Sequence, residues 1–583
     1  MRSRRFLLST VLISALVAAL TAQSANKGGM GSIQEGPLRE WLTYLSSDQL
    51  QGRATYSEGL GLAAAYIAER LKEFGVKPGG DNGSYFQVVK VQGVRTTSRA
   101  SVTVEVNGQT RTFKDGAGIT FPRNMGVKQS VIAERVVFAG YGMSLASLKH
   151  DDYANLDAKG AAVVWLGNGP KLDGVEVRRL LGSRSRTAFD KGAVATISPV
   201  GTGFGGRGGR SGAPSAEAPA ANATQPPAPA GERGQGQGAG RGQGQGSGRG
   251  AADDGDFTTV QRLDNKVPPA VTAQDEFFEF LFSASEFKYA DLKERAASQQ
   301  ALAPVVLKNV KLTFNVDADY EVVRTRYTRN VVGIVEGSDP ALKNTYVLYG
   351  AHYDHTGYRE GAPRAGGDPE DRINNGADDD GSGTVGILSV ARAFATGPKP
   401  KRSLLFVWHA GEETGLLGSR YNADYPVVPL ANIVAVINID MIGRNRDDDP
   451  KQANTVLVVG SDRISTELHN INEDANASMA KPLTLDYELN DPADTESIYT
   501  RSDHYSYASK GIPIVFFFTG IHPDYHRPSD TVDKILFDKV AHVSQLAYET
   551  GRRVANLDHP PVRDNKGPRA GRTVKGKIAT TER

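Results

Sequence analysis

The sequence predicts an α/β protein in which a mostly parallel central sheet is flanked by helices and a β-rich domain is inserted. Its 583 residues are enough for more than one folded domain. From about Asn330, short runs of Val, Ile, Leu and Phe alternate with helical segments, which is typical of strands buried on both faces of a sheet. Between Val131 and Ile197, short apolar runs are instead separated by Gly and Asp turns, which is typical of a β-rich unit.

Composition excludes several kinds of site. The chain has 68 Lys and Arg against 66 Asp and Glu, so its net charge of +2 gives no global attraction to nucleic acid or to an acidic membrane surface. It has no cysteine, which excludes disulfides, thiolate zinc sites and cysteine nucleophiles. A metal ion must therefore be held by histidines and carboxylates, and we expect no nucleic-acid partner.

Residues 1–25 have the layout of an export signal peptide. Three arginines lie within the first five residues, an apolar run follows from Phe6 to Ala22, and a further small residue is Ala25. The run is shorter than the ~20 residues of a usual membrane span, which argues against the alternative of an uncleaved anchor. The adjacent arginines also fit a twin-arginine signal, so both export routes stay open. We expect a secreted or periplasmic protein without stable membrane insertion after signal removal.

Residues 26–125 are assigned to the N-terminal part of the α/β domain. Within them, residues 56–74 place Ala63, Ile67 and Leu71 on one face at helical spacing, and a glycine and a proline follow. This pattern predicts an amphipathic helix.

Residues 126–315 are predicted to form the inserted β-rich domain. Its short apolar strands continue on both sides of residues 201–255, since an apolar run at 267–272 and a helix near Phe277 complete the same unit. Residues 201–255 are rich in Gly, Ala, Pro and Gln and contain one aromatic residue, so they offer too little apolar surface to fold. We predict that they form a disordered surface loop.

Residues 316–559 are predicted to form the main part of the α/β domain, and the polar and basic residues 560–583 a flexible tail. Ligands of such sheets gather beyond the carboxyl ends of the strands. The predicted elements are a helix over 384–394 and strands over 330–335, 346–349, 403–408, 433–439, 455–459 and 512–518.

Two of five polar motifs near these strand ends offer a histidine as a candidate metal ligand. The first, Gly350-Ala-His352-Tyr-Asp354-His355, follows a strand, and Asp354 lies two residues after His352 on the same side of an extended chain. His352 is a candidate zinc ligand whose other ring nitrogen would donate to the Asp354 carboxylate, although a histidine satisfied within the core is the alternative. The second motif follows the last strand and offers Tyr525 and His526.

Three further motifs are acidic. Asp378, Asp379 and Asp380 are successive carboxylates in a Gly-rich turn, where either a bound cation or exposure to solvent would offset their repulsion. Asp440 ends an apolar strand, and a bare buried carboxylate there would cost several kcal/mol. Glu412 and Glu413 follow another strand and point in different directions, so one can bind metal while its neighbour faces a water molecule.

In their order and content, the five motifs resemble those of the M28 family of zinc aminopeptidases. The resemblance implies a zinc exopeptidase-like fold with two Zn²⁺ per chain. It implies that His352 and Asp440 bind one ion, that Glu413 and His526 bind the other, and that Asp379 bridges them. The inserted domain resembles a protease-associated domain through its residues 138–142 and 152–157, and residues 45–53 resemble the family's amino-terminal segment.

The resemblance also assigns roles around the metals. Glu412 matches the general base, Tyr525 matches a phenol that hydrogen-bonds the developing oxyanion, and Arg501 resembles an arginine near the substrate. Asp354, which would orient His352, is grouped with the catalytic residues. The peptide bond between Asp379 and Asp380 is expected to be cis.

These assignments predict an exported di-zinc aminopeptidase that hydrolyses peptides from their amino termini with metal-activated water and Glu412 as the general base. Two alternatives stay open. One is an enzyme like glutaminyl cyclase, which works with one zinc ion and releases ammonia. The other is a non-catalytic binding protein that has kept the fold, whose usual mark is a lost ligand. Peptides are the expected substrates, and the sequence leaves the side-chain preference and the oligomeric state open.

Overall fold

The computed structural model describes residues 28–172, 177–201, 255–358 and 370–565. The predicted signal peptide, residues 202–254 of the predicted disordered loop and residues 566–583 of the predicted tail lie outside these ranges. In the described parts of the chain, no helix combines the length and the apolar character that crossing a bilayer requires.

The strands and helices of the described residues are numbered separately in chain order. The strands are β1 (Lys77–Pro78), β2 (Phe86–Ser98), β3 (Ser101–Val106), β4 (Gln109–Asp115), β5 (Gly118–Thr120), β6 (Gln129–Ala133), β7 (Val136–Phe138), β8 (Ser144–Leu145), β9 (His150–Asp151), β10 (Ala162–Val164), β11 (Ala195–Pro199), β12 (Phe257–Thr259), β13 (Ala270–Ala273), β14 (Val305–Leu307), β15 (Val310–Val316), β16 (Ala318–Val335), β17 (Tyr346–His352), β18 (Gly357–Tyr358), β19 (Ile373–Asn374), β20 (Ser403–His409), β21 (Ile433–Ile439), β22 (Thr455–Val459), β23 (Thr484–Asp486) and β24 (Ile514–Phe518). The α-helices are α1 (Glu35–Leu45), α2 (Glu58–Glu73), α3 (Arg184–Asp190), α4 (Asp275–Leu281), α5 (Tyr289–Ala297), α6 (Gly383–Thr396), α7 (Leu417–Asp424), α8 (Thr466–Ala477), α9 (His504–Ala508) and α10 (Phe537–Asn556).

The central sheet has the strand order β12-β2-β16-β20-β17-β21-β24-β22-β23. Strands β20, β17, β21 and β24 run parallel to one another. Strands β12, β2, β16 and β20 pair antiparallel on one side, and β22 pairs antiparallel with β24 on the other. The predicted α/β class is confirmed, but the parallel pairing is concentrated in the four middle strands. The long β2–β16 pair is antiparallel.

Both faces of the central sheet are buried, which explains its uninterrupted apolar runs. In β20, Leu404, Phe406 and Trp408 pack into one core with α1, α2, α6, α8 and α10. Leu405 and Val407 point to the opposite face and pack into a second core with α7 and α9. Period-2 alternation places neighbours on opposite faces, and here each face meets apolar side chains.

Helix α2 confirms the amphipathic helix predicted over residues 56–74. It begins at Glu58, where the hydroxyl of Ser57 accepts a hydrogen bond from the backbone N–H of Leu60 at 3.1 Å. This is the usual stabilising contact at a helix N-terminus. The helix ends at Glu73, and Gly75 follows with a φ of 76°, a conformation that favours glycine.

A second sheet has the strand order β14-β7-β10-β11-β13-β5-β4-β3-β15-β6. Its core includes Phe277 and Phe278 of α4 and Leu292 of α5. Strands β11 and β13, which lie on either side of residues 202–254, are neighbours in it. The strands of this second sheet do not all lie within residues 126–315, the predicted bounds of the inserted domain.

The differences lie at both ends of that predicted insert. Strands β3, β4 and β5 precede residue 126 and yet belong to the second sheet, since β3 pairs with β15. Conversely, β12 lies inside the predicted insert and pairs with β2 of the central sheet. Strand pairing depends on contacts between distant segments, which is why local patterns did not locate these limits. The assignment of this β-rich part as a protease-associated domain stays a prediction.

The first residues of the predicted flexible tail are packed against α8. The backbone N–H of Val562 donates to Glu467 at 2.8 Å, and the N–H of Asn565 donates to the carbonyl of Ile464 at 3.0 Å. Residues 562–565 thus contact a carboxylate of α8 and a main-chain carbonyl before it, and the flexibility of the tail stays a prediction.

Candidate metal centre

The four parallel strands bring the predicted site residues to one edge of the central sheet. His352 is the last residue of β17, and Asp440 directly follows β21. Glu413 follows β20 after a short turn, and His526 lies in the loop after β24. Because parallel strands end at the same edge, their carboxyl ends form a common crevice, as the sequence predicts.

Asp379 lies between the side chains from these strands. It is buried in the loop before α6. Its Oδ1 lies 3.3 Å from Nε2 of His352, and its Oδ2 lies 2.9 Å from Nε2 of His526. The two oxygens of one carboxylate therefore face two different groups of side chains. The peptide bond between Asp379 and Asp380 is cis, as expected.

The first group consists of His352, Asp379 and Asp440. Nε2 of His352 lies 3.6 Å from Oδ1 of Asp440. Two ligand atoms on one tetrahedral zinc ion, each bound at about 2.0 Å, are separated by roughly 3.3 Å. The distances within this group match that spacing.

The second group consists of His355, Asp379, Glu413 and His526. Nε2 of His526 lies 3.1 Å from Oε2 of Glu413. Nδ1 of His355 lies 2.8 Å from Oε1 of Glu413 and 3.7 Å from Oδ2 of Asp379. The structure thus brings together all five side chains that the sequence predicts as metal ligands, and it adds His355.

The chemistry of the second group fits a cation. Nδ1 of His355, Oε1 of Glu413 and Nε2 of His526 are buried and have no hydrogen-bond partner among the described residues. Buried polar atoms without partners are rare because leaving them unpaired costs roughly 1–3 kcal/mol each. A divalent cation would satisfy these nitrogen and carboxylate ligands together, and they are of the types that zinc prefers.

Asp354 does not contact His352 in the way the sequence predicts. Nδ1 of His352 lies 3.1 Å from the main-chain carbonyl of Asp354 but 3.7 Å from its carboxylate. The strand ends at His352, so the same-side relation of residues i and i+2 no longer holds. The carboxylate instead accepts hydrogen bonds from the backbone N–H of Glu412 and from the hydroxyl of Thr55, each at 3.1 Å. A His352 Nδ1–H that donates to the carbonyl leaves Nε2 free to bind a metal.

Asp380 and Asp530 hold the loop of Asp379 through backbone hydrogen bonds. Asp380 accepts from the N–H groups of His352 and Met441, both at 3.1 Å. Burial raises the pKa of Asp380 well above its usual value. Oδ2 of Asp530 accepts from the N–H of Asp379 at 3.1 Å. These contacts join the ends of β17 and β21 to the loop that carries Asp379.

Arg53 is a buried contact that the sequence analysis missed. Its side chain is 1% exposed, and it donates to the carbonyls of Tyr353 at 2.9 Å, Asn375 at 2.7 Å and Gly376 at 2.9 Å. These carbonyls belong to the loops that carry His352 and Asp379. The amino-terminal segment therefore supports two ligand loops more than 290 residues further along the chain. The one sequence feature that pointed to Arg53 was its place in residues 45–53, which resemble the amino-terminal segment of the M28 family.

Glu412 lines a cleft together with His352, Asp379 and Asp440. Its backbone is held by the hydrogen bond to Asp354 described above. Burial, together with the negative charges of Glu413 and Asp440, raises the pKa of the Glu412 carboxyl well above its usual value. A carboxyl group in this position can take up a proton from a molecule in the cleft.

Tyr525 and Arg501 line the same cleft. The ring of Tyr525 stacks on His526 with centroids 3.9 Å apart, and Nη2 of Arg501 lies 3.4 Å from the Tyr525 hydroxyl. Burial raises the pKa of Tyr525 well above its usual value, so its hydroxyl keeps its proton. Glu496 pairs with both Arg501 and Arg179, and it thereby joins the cleft to the β-rich part of the chain.

Apart from Ser502, the other residues that line the cleft are apolar. Such a surface favours contact with an apolar side chain over contact with a charged one. The apolar residues that line it are Met441, Ile498, Phe516, Phe518 and Ile521.

His355 is the site residue that sequence reasoning missed most clearly. It stands next to Asp354 in the motif that contains His352. The signal was a second histidine within three residues of the first, both following a buried strand. Only the turn after His352 directs the two rings into different groups.

Several known peptidases are similar to this chain. Residues 330–551 match the model of peptidase family M28. A probable leucine aminopeptidase of Arthroderma benhamiae is 28% identical over 286 residues, which cover 46% of this chain and 70% of that protein. A probable zinc metalloprotease of Pyrenophora teres f. teres is 36% identical over 124 residues, which cover 20% of this chain and 23% of that protein. A solved structure of a zinc aminopeptidase from Bacillus subtilis aligns with a TM-score of 0.39 and 17% identity over 92% of this chain and 99% of that one.

Proposed function

Residues 330–551 belong to peptidase family M28, and from this premise we propose that the protein is an aminopeptidase that uses two zinc ions to release residues from the amino termini of peptides. One observation carries the proposal. The two carboxylate oxygens of Asp379 face separate groups of ligand atoms, at 3.3 Å from His352 and 2.9 Å from His526. This is the geometry that a carboxylate bridging two ions requires.

When bound, two zinc ions would polarise the scissile carbonyl and lower the pKa of a water molecule toward ~7. His352, Asp379 and Asp440 would hold one ion. Asp379, Glu413 and His526 would hold the other.

Glu412 is the proposed general base. It lines the cleft beside His352 and Asp440 without belonging to either ligand group. Its carboxylate would take a proton from the attacking water and pass it to the leaving amine. Glu412 and Glu413 are neighbours whose side chains diverge, so the same turn provides a base and a ligand.

Tyr525 and Arg501 are the proposed donors to the substrate. The Tyr525 hydroxyl keeps its proton and faces the cleft, so it would hydrogen-bond the carbonyl oxygen as negative charge develops there. Arg501 lies 3.4 Å from that hydroxyl and would add a positive charge on the same side.

The apolar cleft wall supports a preference for substrates with an apolar amino-terminal side chain. Met441, Ile498 and Phe518 would contact that side chain, whereas a charged one would be buried without a partner. The leucine aminopeptidases among the relatives are consistent with this preference.

We further propose export to the periplasm or the medium, because residues 1–25 have the layout of a signal peptide.

Hydrolysis of a matched pair of peptides tests the function. A leucyl peptide with a free amino terminus should release leucine, and its acetylated form should not. A zinc chelator should abolish release, added zinc should restore it, and metal analysis should find two zinc ions per chain. Cleavage of the acetylated peptide from its carboxyl end would contradict the assignment. Ammonia release from a glutaminyl peptide with one zinc per chain would indicate a cyclase, and zinc binding without turnover would indicate a binding protein.

A further inference from the structure

The side chain of His355 is held rigidly beside the second ligand group. Its backbone N–H donates to the carbonyl of Arg53 at 3.1 Å. Its ring packs against Gly376, where an added Cβ would lie 2.6 Å from ring atoms of His355. The ring is fully buried between these contacts and Glu413. Its position is therefore set from the backbone, from one ring face and from the ligand group.

Nδ1 of His355 is the ring nitrogen that faces the ligand group, 2.8 Å from Oε1 of Glu413. Among the described residues it nevertheless has no hydrogen-bond partner. Two ligand atoms that point at one cation approach each other in this way without forming a hydrogen bond. A ring that merely filled the core would leave Nδ1 and the facing carboxylate oxygen unsatisfied.

The two ligand groups differ in the number of side chains and in how many of these line the cleft. The group of His352 offers three side chains, and the group of His355 offers four. Structural zinc ions have four protein ligands, whereas catalytic zinc ions have three and an open position. Among the described residues that line the cleft are His352, Asp379 and Asp440, but not His355, Glu413 or His526. All three members of the three-ligand group therefore line the cleft, whereas of the four-ligand group only the shared Asp379 does.

We propose that His355 is a fourth protein ligand, which completes the coordination of the ion held by Asp379, Glu413 and His526. This inference rests on the proposed metal-dependent function and deepens it. The ion of the four-ligand group is the tightly held one. The ion of the three-ligand group exchanges more readily and provides the open position that faces the substrate.

Zinc binding to the full-length protein tests this proposal without any activity measurement. The metal-free protein is titrated with zinc in competition with a chromophoric chelator. We expect one tight and one weaker equivalent. The variant His355→Ala should weaken the tight equivalent by at least about 100-fold, since loss of an outer-shell partner alone costs roughly 10–100-fold. The variant His352→Ala should weaken only the second equivalent.

Two controls separate a ligand from a buried packing residue. His469 is 1% exposed and lies outside both ligand groups, so His469→Ala should leave both zinc affinities unchanged. His355→Gln keeps a polar side chain and serves as a second variant if the alanine protein does not fold. Circular dichroism of each metal-free variant checks folding.

X-ray absorption of the wild-type protein with one zinc equivalent gives an answer that needs no variant. We expect two imidazole ligands, from His355 and His526. A single imidazole, or an unchanged tight affinity in His355→Ala, would overturn the proposal while leaving the two-zinc aminopeptidase intact. Failure of the wild-type protein to bind zinc at all would instead overturn the proposed function.

Discussion

The hydroxyl of Ser502 donates a hydrogen bond to Oδ2 of Asp440 at 2.7 Å. The other oxygen of this carboxylate faces His352, and Ser502 in turn accepts a hydrogen bond from the amide of Asn438 at 3.0 Å. All of these side chains except that of Asp440 are almost fully buried. The chain from Asn438 through Ser502 fixes which oxygen of Asp440 points at the metal-binding group, and such outer partners tune metal affinity.

Replacing Ser502 with alanine should therefore weaken zinc binding. Without the hydroxyl, the Asp440 carboxylate loses the contact that orients it, and we expect the affinity of the weaker zinc equivalent to fall by roughly 10–100-fold. Competition with a chelator measures this. Ser506→Ala is the matched control, because Ser506 hydrogen-bonds Ser419 at 2.9 Å and does not touch a ligand. Equal zinc affinities of the wild-type and Ser502→Ala proteins would rule out this role.

Glu412→Gln should separate catalysis from metal binding. The amide has a similar shape but cannot take a proton, so we expect kcat to fall by about 10²–10⁴-fold while the zinc content is unchanged. Metal analysis and turnover of a leucyl peptide are measured on the same preparation. Glu413→Gln is the contrasting variant, since it should lose zinc as well as activity. A normal kcat in Glu412→Gln rejects the base assignment.

Tyr525→Phe should act on the transition state more than on substrate binding. The lost hydroxyl would donate to charge that develops only during reaction, so we expect kcat to fall by about 10²–10³-fold with little change in KM. Tyr327→Phe is the control, because Tyr327 is 62% exposed. A rise in KM at constant kcat would instead assign Tyr525 to substrate binding alone.

Ile521→Asp should change the preference for the amino-terminal side chain. The wild-type cleft offers an apolar wall, so we expect leucyl substrates to be preferred over lysyl substrates. A carboxylate at position 521 would pair with the lysyl ammonium group and should raise the ratio of kcat/KM for lysyl over leucyl substrates by at least about tenfold. A panel of aminoacyl anilides measures the ratio. If the ratio of kcat/KM for lysyl over leucyl substrates did not change, the amino-terminal side chain of the substrate would not contact position 521.

Local patterns in the sequence were sufficient to predict the α/β class, the helix α2 and the strands that lead to the site. The reason is that buried strands require apolar runs, and parallel strands share one carboxyl edge. His352, Glu413, Asp440 and His526 follow such strands, so their convergence could be inferred from position alone. The cis peptide bond between Asp379 and Asp380 could be predicted only from the family resemblance.

What the sequence determined by itself is therefore which side chains come to the edge of the sheet, because apolar strand runs and the polar residues that follow them are local features of the chain. Only the tertiary structure decided how they are oriented. The turn after β17 directs the Asp354 carboxylate to Glu412 and the His355 ring to Glu413. Arg53 supports that turn from about 300 residues away, and contacts between such distant segments leave no periodic trace in a single sequence.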